Sequence, residues 1–387
     1  SGNFKAISLD KLNLKNIDVV LICVGTPSLE NGKCDLKFIK SAVSSLIPLL
    51  EDIRHKLSII LKSTAPPGTV NSEIINVIQK KYPKNLYPNF GFGMNPEFLR
   101  EGSAIADFLN PDRIIIGSDS KISEDHLLEI YKDFDCPKIV VNSSTAEMIK
   151  YVNNSLLALQ ISAVNEYSTI CEEIDNVNIK EVMKGVLYDK RWQSNADSSL
   201  PPSIHNYLKA GCGFGGSCFP KDVKALSNFA KELNLNTPIL DSTIIVNKNQ
   251  PLVIYKKISK FIDIPKSKIL ILGIAFKPDT DDIRESPSLS FIKSFRENGA
   301  KIYVHDPIAL DNMRKHQYSK YLQDDSYIDN FQDIISKVNV ILLVTNWSVY
   351  SNLPSILSNT KKLIFDTRGF FNASDFPSCK YMTTGYK

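Results

Sequence analysis

The feature that most constrains this chain is the run "STAEMIKYVNNSLLALQISAVNEYSTICEEI", Ser144 to Ile174, in which apolar residues recur at three- and four-residue spacing. That period predicts one long helix. Ser144 or Thr145 is placed to cap it, with the acidic Glu147 in its first turn. An apolar helix of this length exceeds what one small domain buries, so a homodimer through this helix is expected.

The segments on either side carry a different pattern. Before the helix, "IDVVLICVG", "LSIILKST" and "RIIIGS" read as buried strands, with a helical stretch from about Leu36 to Leu50 among them. After it, "VKALSNFAKEL" and "TPILDSTIIVNKNQPLVIYKKISKFI" remain helical, and "QSNADSSLPPS" reads as a mobile surface loop. Strands return in "SKILILGIAF", "AKIYVHDP", "VNVILLVTN" and "KKLIFDTRG". The expectation is an α/β chain: two Rossmann-like parallel-sheet domains, 1–142 and 256–387, joined by a helical middle domain, 143–255. A length of 387 residues accommodates two or three such domains.

Charge and cysteine content exclude several classes. A net charge of +4, with basic residues dispersed, leaves no nucleic-acid footprint. The seven cysteines include no Cys-x-x-Cys pair, which favours reduced thiols and a cytoplasmic protein over a disulfide framework. His205, Cys212 and Cys218 have the wrong spacing for zinc, so no metal is expected. No apolar run is long enough for a membrane span, and no signal peptide is recognisable.

One loop stands out, "KAGCGFGGSCFPKD" at 209–222. Gly211, Gly213 and Gly216 have the Gly-x-Gly-x-x-Gly spacing of a dinucleotide turn, but no strand precedes them, so the match is accidental as a cofactor signature. The glycines permit close backbone approach and positive φ. Cys218 is expected about one turn ahead of a helix beginning at Asp222, with Lys221 close by. Taken alone, this is equally a glycine-rich turn around a buried cysteine.

Read in order, "VGTPS", "KSTAPPGT", "NPEFLREGSAIADFLNPDRIIIG", "AEMIKYVNN", "GFGGSCFPKD" and "ILGIAFKPDTDDIRESPS" make the whole chain resemble the UDP-glucose 6-dehydrogenase family, which includes GDP-mannose dehydrogenases. Ser217 departs from the Gly-Gly-His-Cys form usual in UDP-N-acetylhexosamine dehydrogenases. The family's opening strand, glycine turn and helix have no counterpart ahead of "SGNFKAISLDKLNLKNIDVV", so the first domain reads as incomplete at its N-terminus.

The resemblance implies NAD-dependent, four-electron oxidation of a nucleotide sugar's C6 alcohol to the uronate, with UDP-glucose favoured. GDP-mannose or another UDP-hexose is the alternative, as is a non-catalytic sugar-nucleotide-binding fragment that binds NAD poorly. It implies Cys218 as nucleophile, Asp222 and Thr64 holding a water, Lys150 and Asn154 stabilising an oxyanion, and Glu97 in acid/base work. Lys150 and Asn154 are four apart and so share a helix face. Val24, Gly25, Thr26, Pro27, Ser63, Thr64, Glu101, Lys221 and Arg284 match the cofactor side. Glu97, Phe98, Leu99, Lys150, Asn154, Lys209, Gly213, Phe214, Gly215, Phe276, Lys277 and Arg368 match the substrate side.

Overall fold

A computed structural model describes residues 4–82, 87–193 and 203–386. The loop expected at "QSNADSSLPPS" lies almost wholly outside the described residues. The chain divides into two compact units, Ser1–Asn153 with Lys224–Asn236, and Asn154–Val223 with Thr237–Lys387.

The first unit is built on five strands: β1 (Val19–Ile22), β2 (Leu57–Leu61), β3 (Phe90–Met94), β4 (Ile114–Ser118) and β5 (Lys138–Val141), hydrogen-bonded in that order. The pairings are parallel except β3 with β4, which is antiparallel and departs from the fully parallel expectation. Helices α1 (Lys37–Leu46), α2 (Asn76–Lys81), α3 (Ala104–Leu109) and α4 (Lys121–Ile130) connect them. Its main core gathers Ile39, Val43, Ile59, Leu61, Ile74, Phe92 and Met94 between sheet and helices.

Strand β3, "FGFGM", escaped the sequence pattern because its glycines break the run of branched residues. They are required by close approach: a Cβ on Gly93 would stand 2.4 Å from the Gly117 carbonyl oxygen. A Cβ on Gly117 would stand 2.6 Å from the Ala146 methyl on the long helix.

That helix, α5, spans Ser143–Glu173 and leaves the first unit at Asn153. Its cap is neither Ser144 nor Thr145. Asn142 Oδ1 accepts from the Thr145 N–H at 2.8 Å, which makes Asn142 the capping residue. Glu147 reaches across to another element, accepting from the backbone N–H groups of Gly68 at 2.6 Å and Val70 at 2.9 Å. It thus closes the "STAPPGTV" turn after β2, and burial pushes its carboxyl up to about 7.

The second unit holds α6 (Ile179–Leu187), the whole of α8 and the second sheet. Helix α7 (Phe219–Glu232) begins in this unit and ends in the first. Helix α8 runs Pro238–Ser259 with Pro251 inside it. The sheet strands are β6 (Lys268–Leu272), β7 (Lys301–His305), β8 (Val340–Leu343), β9 (Leu363–Asp366) and β10 (Lys380–Thr383), with α9 (Pro287–Glu297) following β6. Their order is β10-β9-β8-β6-β7, all parallel. The chain steps from β6 to β7 on one side and to β8 on the other. The carboxyl end of β6 is therefore a topological switch point, where open α/β sheets bind ligands.

Candidate active site

The first unit brings Lys150, Glu97 and Phe98 together. Lys150 is 3 % exposed. Its ammonium donates to the Glu97 carbonyl at 2.6 Å and to Glu97 Oε1 at 3.2 Å, and lies 5.1 Å from the Phe98 ring centre. The other carboxylate oxygen of Glu97 accepts the Leu99 N–H at 2.6 Å, so the "NPEFL" turn is fixed around that side chain. Arg113 stacks on Phe98 at 4.1 Å and bonds Asn153 at 2.9 Å.

A second lysine, half-buried Lys62, stands here and is not among the residues the family resemblance implies. It donates to the Asn95 carbonyl at 3.1 Å and to Asn95 Oδ1 at 2.9 Å. Burial holds its ammonium below the usual lysine pKa, Cys23 and Glu97 oppose that shift, and Lys150 adds to it. Two lysines thus grip residues 95 and 97 of one turn, each through a carbonyl and a side chain.

Val24, Gly25, Thr26 and Pro27 follow β1, and Ser63 and half-buried Thr64 follow β2. Ser63 ties the two strand ends by donating to the Val24 carbonyl at 2.6 Å. A Cβ on Gly25 would meet nothing within 4 Å, so the space beside this strand end is open. In this unit the ends of β1 and β2 supply the residues that would face a dinucleotide. Glu101 is half-buried, two residues before α3's flanking Ser103.

The second unit brings Cys218, Asp222, Asn154 and Lys221 together. Helix α7 begins at Phe219, earlier than the sequence indicated, because Pro220 suits a first helical turn, where an N–H is dispensable. The Cys218 carbonyl accepts the Asp222 N–H at 2.8 Å, so the exposed thiol stands at the helix entrance and not a turn ahead of it. Asp222 is not a capping residue. It is 1 % exposed and accepts from Asn154 Nδ2 at 2.7 Å and from the Lys221 ammonium at 2.5 Å. Cys212, by contrast, is fully buried, with its sulfur 3.9 Å from the Val344 carbonyl.

The glycines are used for approach. Gly216 has φ +82°, donates its N–H to the Arg284 carbonyl at 2.8 Å, and faces the Phe276 ring. A Cβ on Gly215 would stand 2.6 Å from the Glu285 carbonyl oxygen. Phe276 and Lys277 follow β6 at the switch point, with the Lys277 ammonium 5.9 Å from the Phe276 ring centre. Arg368 after β9 donates to the carbonyls of Val344 at 2.8 Å, Gly213 at 3.2 Å and Phe276 at 3.4 Å, which makes it a staple of the loop. Lys209 is exposed and bonds Asn206, and Arg284 is two-thirds exposed and ion-paired with Asp282.

Three consecutive segments match one family's domains. Residues 1–135 match the UDP-glucose/GDP-mannose dehydrogenase family NAD binding domain, 144–249 its central domain, and 270–373 its UDP binding domain. A UDP-glucose 6-dehydrogenase of Rickettsia conorii is 38 % identical over 356 residues, covering 91 % of this chain and 77 % of that protein. The chain belongs to the UDP-glucose/GDP-mannose dehydrogenase family.

A second member of the family, the UDP-glucose 6-dehydrogenase of Rickettsia bellii, is 36 % identical over 97 % of this chain and 83 % of its own length. Among solved structures, a UDP-glucose dehydrogenase from the archaeon Pyrobaculum islandicum superposes with a TM-score of 0.84 at 31 % identity, covering 99 % of this chain and 83 % of that one. In this UDP-glucose/GDP-mannose dehydrogenase family member, Asn165, Asn247 and Gln250 hydrogen-bond the glycine-loop backbone at Gly211 and Phe214, and with Lys62 and Arg113 they are the surroundings that sequence reasoning passed over. Lys62 and Arg113 lie inside the blocks that carry the family resemblance. The three amide residues have no motif to announce them.

Proposed function

We propose that this protein is an NAD-dependent nucleotide-sugar 6-dehydrogenase that oxidises C6 of UDP-glucose from alcohol to carboxylate in two steps. The observation that carries the reading is an exposed thiol, Cys218, at the entrance of α7, with the buried Asp222 carboxylate in the following turn held by Asn154 and Lys221. A dehydrogenase that stops at the aldehyde has no use for a nucleophilic sulfur. One that goes on to the acid needs the aldehyde held covalently.

NAD+ supplies a hydride acceptor for each of the two oxidations. The alcohol proton leaves toward a water held by Asp222 and Thr64 while C6 gives up its first hydride to that acceptor, and the aldehyde results. The Cys218 thiol then adds across the carbonyl, forming a C–S bond while the proton goes to the oxygen. Lys150 and Asn154 stabilise that oxygen as it becomes negative. Loss of the second hydride and of the hydroxyl proton leaves a thioester. Water, activated with Glu97 as acid/base, breaks the C–S bond and releases carboxylate and thiol. Phe276 and Lys277 at the switch point, with the backbone of the glycine loop and Lys209, receive the sugar nucleotide, while Glu101 and Arg284 attend the cofactor.

The division of labour follows the chain: 1–142 for the dinucleotide, 143–255 for the thiol and for a homodimer contact, 256–387 for the nucleotide sugar. The exposed apolar residues Leu156, Tyr167 and Ile170 on α5, with Ile174 just past its end, support the dimer contact. A panel of UDP-glucose, UDP-N-acetylglucosamine and GDP-mannose tests the reading by counting NADH per sugar consumed. Two per UDP-glucose is expected; one, or a preference for GDP-mannose, overturns it.

A further inference from the structure

We propose that Asn247 is a positioning residue for the Cys218 thiol, acting through Phe214 as the centre of a clamp of side-chain amides on the glycine-rich loop. The proposal rests on the reading of Cys218 as the reactive sulfur.

The backbone of the loop has its polar groups taken up in pairs. Asn165 Oδ1 on α5 accepts the Gly211 N–H at 2.8 Å, and Gln250 Nε2 on α8 donates to the Gly211 carbonyl at 2.8 Å. One turn earlier on α8, Asn247 treats Phe214 as a neighbouring strand would. Its Oδ1 accepts the Phe214 N–H at 2.7 Å and its Nδ2 donates to the Phe214 carbonyl at 3.0 Å. Asn165 and Gln250 are each no more than 2 % exposed, so these bonds form away from water, where leaving them unmade is costly. Gly213 is the residue that admits the clamp. Its φ is +95°, and a Cβ there would stand 2.6 Å from Asn247 Oδ1.

Fixing the Phe214 backbone fixes its ring, and the ring leads to the sulfur. Phe214 packs with Ala158 and Val223, and meets Phe219 edge-on at 5.9 Å and 81°. Phe219 is the first residue of α7 and the covalent neighbour of Cys218. The route from Asn247 to the thiol therefore passes through two hydrogen bonds, one aromatic contact and one peptide bond. Asn247 acts through Phe214, in the loop assigned to the sugar nucleotide, and so sets where the sulfur stands without itself taking part in the chemistry.

The test uses the whole protein with Asn247→Leu, which keeps the branched outline and removes both bonds, and Asn247→Asp, which keeps the acceptor for the Phe214 N–H. Amide exchange at Phe214 and iodoacetamide labelling of Cys218, read by peptide mass spectrometry, are compared with buried Cys212 and with strands β6–β9 as internal references. Asn247→Leu is expected to speed Phe214 exchange roughly tenfold, the value of one net hydrogen bond, and to change the Cys218 labelling rate several-fold, with the references unchanged. Asn247→Asp is expected to rescue the Phe214 protection. Wild-type exchange and labelling in Asn247→Leu overturn the proposal, as does acceleration across β6–β9, which marks a general loss of stability. Full uronate formation by Cys218→Ser overturns the functional reading instead, and leaves the exchange result standing.

Discussion

Asp222 and Cys218 are four residues apart and differ completely in surroundings: the carboxylate is buried and doubly bonded, the thiol open to solvent. Asp222→Asn keeps the volume and the bond from Asn154, so the fold is expected to persist while turnover falls about 100-fold or more, as on losing an acid/base group; steady-state rates beside a melting curve check it. Cys218→Ser is expected to abolish net uronate formation, whereas Cys212→Ser costs far less, because Cys212 is a packed core residue. Product analysis by chromatography separates the two, and equal losses would show that the wrong sulfur was chosen. Gly215→Ala places a methyl 2.6 Å from a backbone oxygen that has no rotamer with which to escape. A loss of about 1–3 kcal/mol is expected for such overpacking, measured by denaturant unfolding.

At the scale of elements, the pH response of the first unit runs through Glu147. Its folded pKa of about 7 lies above the ordinary 4.5, so the folded state holds this proton more tightly than the unfolded chain does. Its stabilising contribution is complete below pH 4.5 and is lost as pH rises to about 7. The size is on the order of 3 kcal/mol at most. Glu147→Gln is expected to flatten the fall in stability across that window, checked by urea unfolding from pH 4.5 to 8; an unchanged slope would assign the effect elsewhere. Periodicity revealed α5 and most strands because each buries a continuous apolar face. It failed at β3, where Gly91 and Gly93 replace the side chains that make a strand visible, and at the short β5 and β10. It placed the start of α7 three residues late, since Phe-Pro ahead of Lys-Asp resembles a break. The motif residues themselves were legible. Their supports at 165, 247 and 250 were not, because hydrogen bonds spanning 33 to 46 positions leave no period in the chain.

For the whole molecule, the apolar positions left open on the second half of α5 make association of two copies the expected state. Tyr167→Glu with Ile170→Glu is expected to shift the protein from dimer to monomer in sedimentation velocity at micromolar concentration, and a wild-type monomer would remove the dimer proposal. The path of the chain has a separate consequence. It leaves the first unit at Asn153, re-enters it at Lys224 and leaves again after Asn236, and the first two of these crossings fall inside α5 and α7. No single cut in the gene yields either unit whole, and two of the boundaries have no linker to cut. A recombination event that exchanged one unit between relatives would have to splice within two helices in register. The two units therefore form a single unit of exchange unless both helices are joined without a shift in register.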